Sequence, residues 1–125
     1  MSDFIVTEQQ IKAILALDGE SRYRHFIKEV VGKDEIWVLG TEDSWHLVGD
    51  ENEDELLPIW PAKEYVQLYA DSRNILDAKP FSVSLEDFML KHVEGLLDDN
   101  LGIAVFMTPD GAGTTPSLKQ FVGDI

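Results

Sequence analysis

The most conspicuous chemistry in this chain is an acidic run, Asp50-Glu51-Asn52-Glu53-Asp54-Glu55. Its Asp-x-Asn-x-Asp spacing matches the first three ligand positions of a calcium loop, where alternate side-chain oxygens converge on one hard cation. The match ends there. Glu55 stands where such a loop needs glycine to turn, and Pro61 stands where it needs a bidentate glutamate. The reading expected from the residues is a solvated loop between strands. Weak divalent-cation binding outside the EF-hand pattern, or docking of a basic partner on Glu53, Asp54 and Glu55, are its functional alternatives.

Histidine is the side chain that titrates nearest neutrality, so general acid or base work would most simply use His25, His46 or His92. No Gly-x-Ser-x-Gly elbow, His-Glu-x-x-His or other pair of histidines at helical spacing accompanies them. His92 falls on an apolar helical stripe, which favours a hydrogen-bonded core residue. His25 lies off the stripe of its helix and is expected in solvent. The chain has no cysteine, which excludes disulfides, thiolate metal sites and a Cys nucleophile. Asp110 to Thr115 is Gly-rich and precedes a helix, but it lacks the lysine of a phosphate-binding loop and reads as a plain loop. Glu86, Asp87, Asp98 and Asp99 supply carboxylates that nothing in the sequence pairs across a cleft. No cofactor is called for.

Aromatics near prolines can build a peptide groove, and Trp37, Trp45 and Trp60 are the candidates. Burial competes: a fully buried Trp removes roughly 200 Å² from water, about 5 kcal/mol gross at about 25 cal/mol per Å². Core positions are therefore expected for these residues. Trp60, flanked by Pro58 and Pro61, is expected to be the most exposed of the three and the centre of any partner-binding edge.

These residues need elements to hold them. Thr7-Glu8-Gln9-Gln10 is a capping-box pattern opening a helix with Ile11, Ile14 and Leu15 on one face. After Asp18-Gly19, the spacing of Tyr23, Phe26, Ile27, Val30 and Val31 predicts a second helix closed by Gly32, giving a helical hairpin. Glu35–Gly40 and Trp45–Gly49 predict a β-hairpin across the polar turn Thr41 to Ser44. Leu56 to Pro61 reads as an edge or irregular strand, and Pro61 as the first turn of a helix with Ala62, Tyr65, Val66 and Tyr69 buried. Phe81-Ser82-Val83 is a short strand, and Ser84 caps a helix to about Leu97 that buries Leu85, Phe88, Met89, His92 and Leu96. Gly102 to Met107 is a buried strand. Pro116 starts a last helix carrying Leu118, Phe121 and Val122 inward. The mixture predicts one α+β domain over residues 1–125: a helical hairpin and a mixed sheet of about four to five short strands with helices packed on it.

In this order, Arg22-Tyr23-x-x-Phe26-Ile27, Ile36-Trp37-x-Leu39, Leu57-Pro58-Ile59-Trp60-Pro61, Ser84-Leu85-x-x-Phe88, Val105-Phe106-x-Thr108-Pro109 and Pro116-x-Leu118 resemble the bacterial family catalogued as domain of unknown function 2750. The resemblance spans roughly residues 21–125. It implies a small cytoplasmic bacterial protein and supplies no catalytic residues. The aromatics usual in that family near His92 and near Asn74 are absent here. A shorter similarity, over the strand and Leu-Pro-Ile-Trp-Pro, is to the N-terminal domain of the enhanced-serine-sensitivity family and implies an interaction domain.

Ten basic residues against twenty-four acidic ones give a formal net charge of −14, a field that repels phosphate backbones and anionic lipid surfaces. Neither nucleic acid nor a membrane is an expected partner, whereas a basic protein is. The first residues lack a basic n-region and no run approaches the length of a membrane helix, so a cytoplasmic protein is expected. A homodimer is compatible with the sequence and not indicated by it. The leading reading is a protein-binding module without catalytic activity. A small hydrolase or transferase with a His/carboxylate site, and a weak cation binder, are the alternatives.

Overall fold

The computed structural model describes residues 7–49, 55–109 and 113–125. Helix α1 (Glu8–Leu15) starts at the expected capping box: Gln10 N–H donates to Thr7 Oγ1, and Thr7 N–H donates to Gln10 Oε1. None of its side chains is fully buried. Helix α2 (Gly19–Lys33) is capped by Asp18, whose carboxylate accepts from Ser21 N–H, and it buries Arg22, Phe26 and Val30. It runs through Gly32 and stops at Asp34, which takes the left-handed conformation (φ 56°) expected of Gly32. The short polar side chain of an aspartate tolerates that conformation, so glycine is not required for the stop.

The expected local hairpin gives way to a longer-range pairing. Strand β1 (Glu35–Gly40) pairs antiparallel along its whole length with β4 (Lys79–Ser84), more than forty residues later in the chain. Strand β2 (Val48–Gly49) pairs instead with β3 (Glu55–Ile59), which lies parallel to β5 (Gly102–Val105). The expected hairpin survives only at its neck, where Gly40 bridges Trp45 and His46 N–H donates to the Leu39 carbonyl.

Trp37 and Trp60 join the two ladders by exchanging both backbone hydrogen bonds at 2.9 Å, so β1 meets the end of β3. The antiparallel register would next pair Leu39 with Pro58. Pro58 has no N–H to offer, and the Leu39 carbonyl takes His46 N–H instead. The chain then departs from β3 and returns as β2 opposite Leu56, spending residues 38–47 against only 57–59 of its neighbour. Pro58 thus lies in a central strand rather than an edge and causes an excursion there. Pro80 sits opposite Leu39 in the outer strand β4, where a missing donor costs no ladder bond with β1.

Helix α3 (Lys63–Ser72) begins two residues after Pro61 and buries Tyr65, Val66, Tyr69 and Ala70. Ser84 caps α4 (Leu85–Asp87), which continues without a break through a π-helical turn, Phe88–His92, into α5 (Val93–Asp98). In the π turn Val93 N–H donates to the Phe88 carbonyl five residues back. The wider turn moves the buried face from the expected Met89 and His92 onto Val93, while Leu85, Phe88 and Leu96 are buried as expected. Helix α6 (Leu118–Asp124), capped by Ser117, buries Leu118 and Phe121 but leaves Val122 exposed, contrary to its expected inward position. Together these helices and two small ladders are an α+β fold. No helix among the described residues is long and apolar enough to cross a membrane.

Candidate functional site

Of the residues expected to form a partner-binding edge, Glu55, Pro58, Trp60 and Pro61 are described. Trp60 is fully buried, not the most exposed tryptophan. Its flanking prolines lack donors, but its own N–H pairs with Trp37, its indole Nε1–H donates to the Met107 carbonyl at 2.9 Å, and its ring leans on Tyr69. Pro58 and Pro61 are buried as well. Glu55 is exposed at the far end of β3, about 16 Å from Trp60 at ~3.3 Å per residue, on a shallow groove with Asn100 and Thr115. Glu53 and Asp54, like the rest of the acidic run from Asp50, lie outside the described residues, as do Asp110 to Ala112 of the Gly-rich loop. Of that loop, Thr114 pairs with Val105 through both backbone bonds. Among the described residues no three His, Asp or Glu side chains come together as a metal ligand set.

Trp45, half-buried, lies instead on the excursion that begins where Pro58 offers no N–H. Thr41 N–H donates to the Ser44 carbonyl at 2.8 Å, and Thr41 Oγ1 accepts from the N–H groups of Asp43 and Ser44. Gly40 permits this fold-back, because a Cβ there would lie 2.5 Å from the Ser44 carbonyl oxygen and 2.9 Å from the Trp45 Cα. Trp45 is thereby set against His92, with ring centroids 4.6 Å apart, and the π turn is what presents His92 to it.

The two rings wall an open groove of about 310 Å³. Leu57, Leu96 and Leu101 form its apolar surface, and exposed Glu42 and Asp43 stand at its rim. His92 is half-buried rather than a core residue. The sequence signal for this site was the Gly40 to Trp45 turn, whose polar residues read only as hairpin material.

A second cluster is built around Arg22. Arg22, almost fully buried, donates from Nε to the Phe106 carbonyl at 3.3 Å and from Nη1 to the Leu17 carbonyl at 2.7 Å. Phe106 holds φ 57°, a conformation costly for a bulky side chain, and its N–H donates to the Ile59 carbonyl. Its ring meets Tyr65 edge-on at 4.7 Å and His25 at 6.3 Å. His25 is therefore half-buried and not in free solvent as its off-stripe position suggested. Burial lowers its pKa below the ordinary histidine value, with Glu29 opposing and Lys33 and Lys28 reinforcing the shift. Burial, then the charges of Glu29 and Glu64, push the Tyr65 hydroxyl up to about 12. His25, Glu29 and Tyr65 face one cavity of about 150 Å³ beneath α1. No histidine is hydrogen-bonded to a carboxylate among the described residues, so the arrangement lacks an oriented acid–base pair.

Compared with known families, residues 23–125 match the model described as protein of unknown function (DUF2750), and the chain belongs to that family. No curated protein matches it.

Proposed function

We propose that this chain is a non-catalytic binding module that takes a cationic side chain of a basic partner protein into the groove beside Trp45 and His92. The observation that carries this reading is the composition of the groove: a tilted pair of rings in contact, an apolar leucine surface and a carboxylate rim. An arginine or lysine has the complementary build, an aliphatic stem ending in a cation. Its stem would lie along Leu57, Leu96 and Leu101, and its head over the Trp45 face within reach of Glu42 and Asp43. A cation over an indole is worth about 0.5–2 kcal/mol, and arginine adds planar stacking. The net charge of −14 favours encounter with a basic surface from a distance.

Titration of the chain with an arginine-rich peptide tests the reading, with the same peptide carrying glutamines as the comparison. Binding is expected for the arginine peptide alone, weaker as salt is raised, and weaker by about tenfold in Trp45→Ala. Equal binding of both peptides, or binding that Trp45→Ala leaves untouched, refutes it.

A further inference from the structure

The cavity beneath α1 is separate from the groove and has a different character. Its volume, about 150 Å³, equals that of an engineered protein cavity that accepts benzene. Ala13 and Ile14 of α1 cover it, and Pro61 and Ala62 line it from the head of α3. Its polar groups include the Tyr65 hydroxyl and the His25 imidazole. Tyr65 is only 4% exposed, yet no described residue hydrogen-bonds its hydroxyl, and no polar side-chain atom sealed from solvent lacks a partner. The hydroxyl therefore opens into the cavity, where an occupant can satisfy it.

The charges around the cavity select a neutral occupant. Glu29 already holds Lys33 Nζ at 3.2 Å, so its carboxylate is compensated. An anion would meet Glu29, Glu64 on the neighbouring helix and the overall charge of −14. We infer that this cavity binds a neutral single-ring molecule of about phenol's size, its ring against Ile14 and Pro61 and its polar edge hydrogen-bonded to Tyr65 and His25.

Phenol is the probe. Titrated into the isotope-labelled full chain, it is expected to give saturable NMR shifts at the His25 and Tyr65 side chains. Tyr65→Phe should weaken binding about five- to tenfold, the worth of one hydrogen bond. Ala13→Phe, which fills the cavity from an exposed position on α1, should abolish it, while Trp45→Ala leaves it unchanged. Absence of saturable shifts with phenol, or shifts that persist in Ala13→Phe, overturns the inference whatever the peptide titration shows.

Discussion

Trp60 and Trp45 are two indoles bridged to β1, one at Trp37 and one at Gly40, and they have opposite fates. Trp60 has every polar group paired inside the core: its backbone with Trp37 and its Nε1–H with Met107. Trp45 rides on an excursion, half-exposed, its ring laid on a histidine that a π turn presents. Proline explains both. At position 58 it denies β1 a ladder partner and throws the chain outward with Trp45 on it, while leaving Trp60, two residues on, free to pair. Aromatics beside prolines thus become surface or core according to whose N–H the proline removes.

Trp60→Ala breaks this comparison hardest. Loss of a fully buried indole should cost about 3–5 kcal/mol, read as a lowered urea midpoint with little change in slope. A loss below about 1 kcal/mol would mean that Trp60 is not the core anchor its contacts describe. Arg22→Met comes next. It leaves the Leu17 and Phe106 carbonyls without their donor, at about 2 kcal/mol. The Phe106 turn at φ 57° should then relax, visible as new amide shifts around Phe106 and Met107. An unchanged Phe106 environment would show that the strand end holds its strained turn without the guanidinium.

Much of this fold was legible because its signals are local. The Thr7 box, the Ser84 cap and the stripe Tyr65, Val66, Tyr69 each follow from residues within one or two turns, and each is observed. The pairing of β1 with β4 was not legible. Glu35–Gly40 carries the same alternating signal whichever strand it joins, and the nearer candidate wins any local reading. Val122 and His92 were misplaced as well: the first on a short terminal helix, the second at the end of a π turn that shifts the helical phase. The groove was hidden more deeply. Trp45, His92 and Leu57 converge only after three elements have packed, and no spacing along the chain records it.

Trp45→Ala sharpens the contrast from the other side. A half-exposed ring on a loop should cost at most about 1–2 kcal/mol of stability, well below Trp60→Ala, while removing most of the affinity for an arginine-rich peptide. Calorimetric binding and thermal melts on the same sample separate the two. If both tryptophan variants lost stability equally, Trp45 would be a second core anchor and the groove a packing defect beside it.

The smallest effect belongs to His25, which touches Phe106 from the cavity side and lies between the packed and open regions. Burial depresses its pKa in the folded chain, so between the ordinary histidine value of about 6.5 and the lower folded value the unfolded chain binds more protons. Stability therefore rises with pH through that window and falls as the solution is acidified below about 6.5. Asp18, whose pKa is lowered chiefly by the Ser21 backbone N–H, loses its contribution only as the pH falls from the ordinary carboxylate value of 3.8 downward, so the two titrations separate. His25→Gln should flatten the stability profile between about pH 7 and pH 5 while leaving the acid limb in place. A parent chain equally stable across that interval would mean that the imidazole is hydrated in the folded state, and that the cavity beneath α1 stands open to water.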